Sequence, residues 1–149
     1  MKFKIVTPER IVLETEADAL TLPTTSGEIT ILPHHTPLVA QMAAGEVKYK
    51  QSGKSNFFAV SGGVIEVRSG KGGKNSTEVV ILADTAEFGH EIDMERAEKA
   101  RESARKLMTE SYSDQKTYAD ASAAFQKHLI RLKVARKHHS HKGTKVDNN

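Results

Sequence analysis

Hydrophobic and polar residues alternate over much of the first half of the chain, and the period then changes. Residues 2–5 read Lys-Phe-Lys-Ile and residues 47–50 read Val-Lys-Tyr-Lys. Strict alternation is typical of a β-strand that buries one face. From residue 92 onwards, apolar residues recur every three or four positions, which is typical of amphipathic helices. The pattern therefore predicts a β-rich part followed by a helical part.

The β-rich part contains a series of short segments rich in β-branched residues. Turn signals such as Gly53-Lys54 and Gly62-Gly63 separate them, and no helical stretch of ten residues interrupts the series. We therefore expect an antiparallel sandwich of about 85 residues and no parallel βαβ units. Strands are predicted at 2–7, 10–15, 17–23, 28–32, 37–43, 45–51, 55–61, 63–69 and 77–83.

Two helices are predicted after the sandwich. The first covers 92–108, with Asp93 in its first turn, where a carboxylate favours a helix N-terminus. The second starts after an N-cap at Ser113 or Asp114 and runs to about Lys137. The predicted fold class is α+β, with an N-terminal antiparallel β-sandwich and a C-terminal two-helix antiparallel hairpin.

The second helix carries two apolar stripes on different faces. One consists of Tyr118, Ala121, Phe125, Leu129 and Leu132, and the other of Ala119, Ala123, Ile130 and Val134. One stripe can pair with the first helix, so the other needs a different surface. Either the hairpin lies on the sandwich and both stripes are core, or the second stripe docks on another protein in at least one state.

The positive charge is concentrated near the C-terminus. The chain has 149 residues and a net charge of +3, but residues 127–145 hold seven Lys or Arg and no acidic residue. Without those seven, 15 basic and 19 acidic residues leave −4 for the rest. Predicted boundaries are 1–87 for the sandwich, 88–137 for the hairpin and 138–149 for a disordered basic tail.

Composition excludes several classes of site. The chain has no Cys, so disulfides, thiolate nucleophiles and Cys-ligated metals are excluded. Its apolar runs are far below the roughly 18 residues that a membrane helix needs, and no signal peptide is expected at the start.

Few residues suggest chemistry. Gly53-Lys54-Ser55 resembles the end of a phosphate-binding loop, but Lys48 stands where the first Gly belongs, so a hairpin turn is predicted. The His-rich segment after residue 137 lacks the fixed ligands of a metal site. With no catalytic triad or paired-carboxylate signature, the sequence predicts neither an enzyme nor a metal site.

Three strings in a fixed order resemble a known family. They are Ser26-Gly-Glu-Ile-Thr-Ile-Leu-Pro-His-His-Thr-Pro-Leu38, Phe58-Ala-Val-Ser-Gly-Gly-Val-Ile-Glu-Val67 and Val80-Ile-Leu-Ala-Asp-Thr-Ala86. Ahead of a helical hairpin, they are similar to the epsilon subunit of bacterial F-type ATP synthases, over the chain to about residue 137. The resemblance implies a ten-stranded sandwich and a C-terminal helical pair.

The resemblance also implies function and partners. Such a chain binds the gamma subunit, rests on the c-subunit ring and couples proton flow to ATP synthesis, at the cytoplasmic face of the cell membrane. Its helices can extend to the alpha and beta subunits of the catalytic head and inhibit ATP hydrolysis. Glu28 falls in the loop that faces the c ring in relatives, and His35 lies beside the gamma-facing surface. Thr30 and His34 replace glycines common in relatives, so either this turn is reshaped or both residues are strained.

Some members bind one regulatory ATP between the helices, and the resemblance extends to that motif. Ile92-Asp93-Met94-Glu95-Arg96-Ala97 matches it. The implied site comprises Glu87, Ile92, Asp93, Arg96, Ala97, Lys127 and Arg131. A further arginine position falls on Ser103, although Arg101 and Arg105 flank it. The alternative for Asp93 is a simple charge at a helix start. No cofactor is required.

A nucleic-acid-binding module is the rival interpretation of the basic stretch. It would need aromatic or base-reading groups beside the charges, and the stretch supplies few beyond Phe125 and imidazoles.

Overall fold

A computed structural model describes residues 1–71 and 76–142 of the chain. It divides into two compact units, Met1–Glu87 and Phe88–Asn149. The first unit is built from strands and the second mainly from helices. Each unit is described separately below.

The strands lie close to the positions that the alternation predicts. They are β1 (Lys2–Val6), β2 (Ile11–Glu16), β3 (Ala19–Thr24), β4 (Gly27–Ile31), β5 (Leu38–Met42), β6 (Gly45–Gln51), β7 (Lys54–Val60), β8 (Gly63–Ser69), β9 (Thr77–Ala83) and β10 (Ala86–Phe88). The nine segments predicted from the alternation are confirmed. The alternation missed β10, since three residues are too few to show a period.

The strands form one sheet that folds into two layers. The order is β10-β7-β6-β3-β5-β8-β9-β1-β2, and β4 pairs with β3. Strands β3 and β5 share a single pair, Thr24 with Met42, which marks the division between the layers. Among strands β1 to β9 the pairs are antiparallel, except that β1 and β9 pair in parallel over Lys2–Val6. The predicted antiparallel sandwich is therefore confirmed with one exception, a pair that joins strands from opposite ends of the unit.

The inward faces of both layers form the core. Phe3 of β1 contacts Tyr49 of β6 with ring centroids 5.5 Å apart, and Tyr49 contacts Phe58 of β7 at 6.0 Å. Burial raises the pKa of the Tyr49 phenol because it disfavours the charged form. The aromatic contacts join the two layers, as in a β-sandwich.

The second unit is a hairpin of α1 (Met94–Glu110) and α2 (Gln115–Lys142). Asp93 caps α1 by accepting a hydrogen bond from the Arg96 amide at 3.0 Å. Asp114 caps α2, since its carboxylate accepts from the Lys116 amide at 3.2 Å and the Thr117 hydroxyl at 2.5 Å. The predicted cap at Ser113 or Asp114 is thus confirmed at the latter.

Helix α2 continues beyond its predicted end at Lys137, so the prediction of a disordered tail was wrong for residues 138–142. The absence of an apolar period there did not end the helix, because no Gly or Pro stops it before Gly143. The rest of the predicted tail, 143–149, lies outside the described residues.

The two stripes of α2 are each buried only in part. Ala121 and Leu132 are buried in the first and Val134 in the second, whereas Ala119 and Ala123 are exposed. Ala119 and Ala123 lie in the first turns of α2, close to the connection with α1, so the face that they occupy leaves them exposed, and not the greater length of α2.

Candidate partner face and nucleotide site

The outer face of the β5-β8-β9-β1-β2 layer changes from charged to apolar along its strands. Register places outward side chains of β8, β9, β1 and β2 in three rows, each crossing the four strands. The first row is Arg68, Glu78, Lys2 and Glu16; the second is Glu66, Val80, Lys4 and Glu14; the third is Val64, Leu82, Val6 and Ile11. The third is called the apolar row below.

Ion pairs hold the charged end of this face. The Arg68 Nε donates to a Glu78 carboxylate oxygen at 3.2 Å, and the Lys4 ammonium lies 3.2 Å from Glu14. The hydrogen bond from Arg68 holds the pKa of the Glu78 carboxyl below its usual range. Since these pairs are exposed, they order the surface more than they stabilise the fold.

The apolar row is exposed. Ile11 is 55% exposed, Leu82 51% and Val64 42%, although the inward neighbours of Leu82 and Val64, such as Ile81 and Ile65, are buried. A bulge at Val12 brings Ile11, rather than Val12, opposite Val6. Adjacent to the row is a pocket of about 300 Å³, lined by Val6, Thr7, Pro8, Leu82, Ala83 and Asp84. A contiguous exposed apolar strip beside a pocket is typical of a protein-binding surface.

The apolar row was not predicted from the sequence, although the sequence contains a signal for it. Residues 79–83 read Val-Val-Ile-Leu-Ala, so the strand is apolar on both faces and not only on the inward one. In an antiparallel sandwich with one solvated face, an unbroken apolar run implies that the second face is also meant to be covered.

The residues assigned to partner contacts lie on the same unit. Glu28 is exposed and belongs to strand β4, opposite Pro23, in agreement with the strand predicted at 28–32. The turn lies just before it, where Gly27 has φ 120°. His35 is half-exposed and sits in the turn after β4, with Nδ1 2.8 Å from the Thr36 carbonyl.

The two glycine replacements behave differently. His34 adopts φ 70°, the left-handed conformation that glycine would enter freely, so strain there is confirmed. Its amide donates to the buried hydroxyl of Thr77 at 2.8 Å, which holds the turn. Thr30 lies in β4 opposite Thr21, with no positive φ, so the alternative of strain does not apply to Thr30.

The nucleotide motif lies where α1 begins. Ile92 and Ala97 are 6% and 0% exposed, so these two motif residues are core residues that fix the start of the helix. Asp93 and Arg96 are exposed. One Asp93 oxygen is already used as the helix cap, which is the alternative role considered for this residue. The cap leaves the second carboxylate oxygen as a potential acceptor for an exocyclic amine.

The basic positions lie on one face of α2. Lys127 and Arg131 are four residues apart and half-exposed, and an Arg131 guanidinium nitrogen lies 3.2 Å from His128 Nδ1. On α1, Arg101 is paired with Glu98 and Arg105 with Glu102, so the arginines beside Ser103 are already engaged by carboxylates. Glu87 is the last residue of the first unit, on β10.

The structure also shows what the possible phosphate-binding loop is and whether metal ligands are grouped. Ser52 and Gly53 have φ 49° and 77° and form the two-residue turn between β6 and β7, so a phosphate loop is excluded there. Among residues 1–71 and 76–142, no three His, Asp or Glu side chains are grouped as metal ligands. No helix within the described part of the chain is long and apolar enough to span a membrane.

Comparison with known proteins gives consistent matches along the chain. Residues 1–89 match the family model "ATP synthase, Delta/Epsilon chain, beta-sandwich domain", and residues 90–136 match "ATP synthase, Delta/Epsilon chain, long alpha-helix domain". The chain is 40% identical to the ATP synthase epsilon chain of Dehalococcoides mccartyi over 141 residues, covering 95% of this chain and 96% of that one. It is also 40% identical to that of Herpetosiphon aurantiacus, covering 91% and 94%.

Solved structures of ATP synthases also contain chains similar to this one. A chain in the Euglena gracilis mitochondrial ATP synthase OSCP/F1/c-ring structure aligns with a TM-score of 0.74 and 26% identity, covering 90% of this chain and 79% of that chain. A chain of the Tetrahymena thermophila central stalk and c ring aligns with a TM-score of 0.50 and 13% identity, which bears on the fold alone.

Proposed function

Because the chain belongs to the ATP synthase delta/epsilon family and is an epsilon subunit of the central stalk, we propose that it couples rotation to catalysis and regulates it, without catalysing a reaction itself. In this proposal the sandwich binds the gamma subunit, Glu28 faces the c-subunit ring and the helical unit inhibits ATP hydrolysis at the alpha and beta subunits. The complex holds it at the cytoplasmic face of the cell membrane.

The apolar row is the observation that carries the gamma-binding part of the proposal. The four aligned side chains expose apolar surface to water, and binding to a partner would remove that surface from water. The pocket beside them can receive one anchoring side chain of the partner. The ion pairs border the apolar row on one side only. A polar border beside an apolar contact area is a feature of specific protein interfaces.

A binding assay with purified gamma subunit tests this face. Half of the Leu82 surface is still exposed, so its burial in a complex contributes about 1 to 1.5 kcal/mol, and Leu82→Asp would also desolvate a charge. We expect Leu82→Asp to weaken gamma binding by at least about tenfold. The control is Leu107→Asp, because Leu107 is an equally apolar side chain, 43% exposed, on α1. Equal binding by the Leu82→Asp and parent chains contradicts the proposed face.

Deletion of residues 91–149 tests the inhibitory role. The sandwich keeps every residue of the apolar row, so the shortened chain should still co-purify with gamma while ATP hydrolysis by the complex rises. Unchanged hydrolysis contradicts inhibition by the helices. Failure to bind gamma, together with retardation of DNA at about 0.15 M salt, would favour the nucleic-acid alternative.

Regulatory ATP binding is a separate part of the proposal. Asp93, Arg96, Lys127 and Arg131 supply an acceptor for the adenine amine and three cations for phosphates. Asp93→Ala would also remove the cap of α1, at a cost of about 1 kcal/mol, so the sharper variant is Asp93→Ser. Serine still caps the helix but is too short to act as the second acceptor.

Calorimetry with ATP then separates the two roles of Asp93. We expect binding by the parent chain, loss of binding in Asp93→Ser and unchanged binding in Asp114→Ser, in which the cap of the other helix is exchanged in the same way. Absence of binding by the parent chain would remove the nucleotide site from the proposal.

A further inference from the structure

A ladder of aromatic rings joins the start of the second unit to the end of α2. The ring of Phe88 lies 5.0 Å from that of His90, and the His90 ring lies 5.5 Å from that of His138. His139 continues the series at 6.0 Å from His138. The name imidazole ladder is used below for His90, His138 and His139.

Close packing around Gly89 keeps residues 88–90 against α2. Gly89 is buried, and a Cβ built on it would lie 3.1 Å from the Cβ of His138 and 3.2 Å from a methyl of Val134. Val134 and His138 are one turn apart on α2, so residues 88–90 lie directly on this face of the helix. The Nε2 atom of His138 is inaccessible to water.

We propose that the imidazole ladder is a pH-sensitive latch, which holds the end of α2 against residues 88–92 at neutral pH and releases it on acidification. Imidazole is the side chain whose ordinary titration falls nearest to neutral pH. When His90 and His138 are both protonated, two positive charges lie about 5.5 Å apart only while the contact is closed. Acid therefore favours the open state.

The surrounding charges do not change the conclusion that acid favours the open state. On α2, Arg131, Lys137 and His139 accompany His138 in both the closed and open states, as does the helix dipole, so their effect largely cancels. On the other segment, Glu87 and Glu91 neighbour His90. Glu91 is exposed, so its attraction to His138 is screened, and Asp93 is engaged as the cap of α1.

The expected effect follows from the ring separation. Two unit charges about 5.5 Å apart, at an effective dielectric constant between about 40 and 80, shift the opening equilibrium by roughly 3- to 13-fold. This inference adds a regulatory input to the proposed function: if the helices must rearrange in order to inhibit, acid should strengthen inhibition by no more than a factor in this range.

Amide hydrogen exchange of the full chain tests the latch independently of that function. With EDTA present and rates corrected for intrinsic exchange, protection of residues 88–92 and 134–140 should fall about 2- to 4-fold from pH 7.5 to 5.5, which is less than the limit for two full charges because the closed contact is only partly doubly protonated at pH 5.5. His90→Gln and His138→Gln should abolish this change, whereas His35→Gln, in the other unit, should retain it. His90 is exposed, so its variant folds even if His138→Gln does not. Equal protection at both pH values, or an unaltered response in His90→Gln, overturns the proposal.

Hydrolysis assays then test the link to regulation. The ratio of ATP hydrolysis with and without the chain, measured on the same catalytic complex, should fall on acidification for the parent and not for His90→Gln. If exchange responds to pH but this ratio does not, the latch stands and its link to inhibition is contradicted; a ratio of one at both pH values contradicts the inhibitory part of the proposed function.

Discussion

Gly63→Ala should be among the most destabilising single substitutions in the sandwich. Gly63 begins β8 with φ 137°, and a Cβ at this position would lie 2.0 Å from the Leu82 carbonyl oxygen and 2.9 Å from the Ala83 Cα. Both atoms belong to the backbone of β9, which is fixed to β8 and β1 on its two sides. The clash cannot be relieved by rotating a side chain.

Gly62→Ala provides the matched comparison. Gly62 has nearly the same φ, 133°, but its added Cβ would meet only an Asp84 carboxylate oxygen at 3.3 Å and the Met42 carbonyl oxygen at 3.8 Å. Backbone strain alone costs about 1 to 3 kcal/mol, and overpacking against a fixed strand adds about 1 to 3 kcal/mol. We therefore expect losses of about 1 to 3 kcal/mol for Gly62→Ala and about 3 to 5 kcal/mol for Gly63→Ala.

Urea denaturation followed by circular dichroism measures both free energies of unfolding. A loss of about 4 kcal/mol is a large share of the 5 to 15 kcal/mol typical of a domain, so the free energy of unfolding of Gly63→Ala is best measured with a stabilising osmolyte. If the two variants lose the same free energy, the close approach of β8 and β9 contributes nothing and the reasoning fails.

Three further predictions concern turns and caps. Ser52→Asn should raise the free energy of unfolding by about 0.5 kcal/mol in the same assay, because asparagine tolerates φ 49° better than serine does; a loss would contradict the turn type. His34→Val should lower the free energy of unfolding by about 1 to 2 kcal/mol more than His34→Asn, because a β-branched side chain is poorly accommodated at φ 70°. The hydrogen bond from the backbone amide of residue 34 to the Thr77 hydroxyl is retained in both variants. Hydrogen bonds from Thr117 hold the pKa of the Asp114 carboxyl below its ordinary value, so the stability that Asp114 gives α2 is present above that ordinary value and is lost as pH falls through the folded one. Helicity measured from pH 5 to 2 should therefore fall less steeply in Asp114→Asn, and an identical slope would contradict this role.

Much of the sandwich could be predicted from local patterns. A strand that buries one face announces itself by alternation, as in Lys2–Val6, and the predicted strand at 45–51 agrees with the observed Gly45–Gln51. Pairing could not be predicted in this way. The parallel match of Phe3 with Val79 joins residues remote in sequence, and no local pattern reports it.

The candidate sites, too, could be predicted from the sequence only where a local pattern reports them. Ile92–Ala97 was recognisable as a motif, yet only the structure shows that Asp93 caps the helix while Ile92 and Ala97 are core. The apolar row arises from register across four strands, and a one-residue bulge at Val12 decides which side chain completes it. Contacts of this kind depend on the tertiary fold.

The parallel pairing of β1 with β9 also sets an order of events during synthesis. Strand β1 ends at Val6, but its partner is complete only at Ala83, so 77 further residues must be translated first. At about 5 to 20 residues per second, that takes about 4 to 15 s. During this interval β1 can pair with β2 but not with β9, so the backbone along one edge of β1 has no strand partner. A nascent chain stalled before residue 77 should accordingly engage chaperones, and one extended well past residue 87 should resist protease.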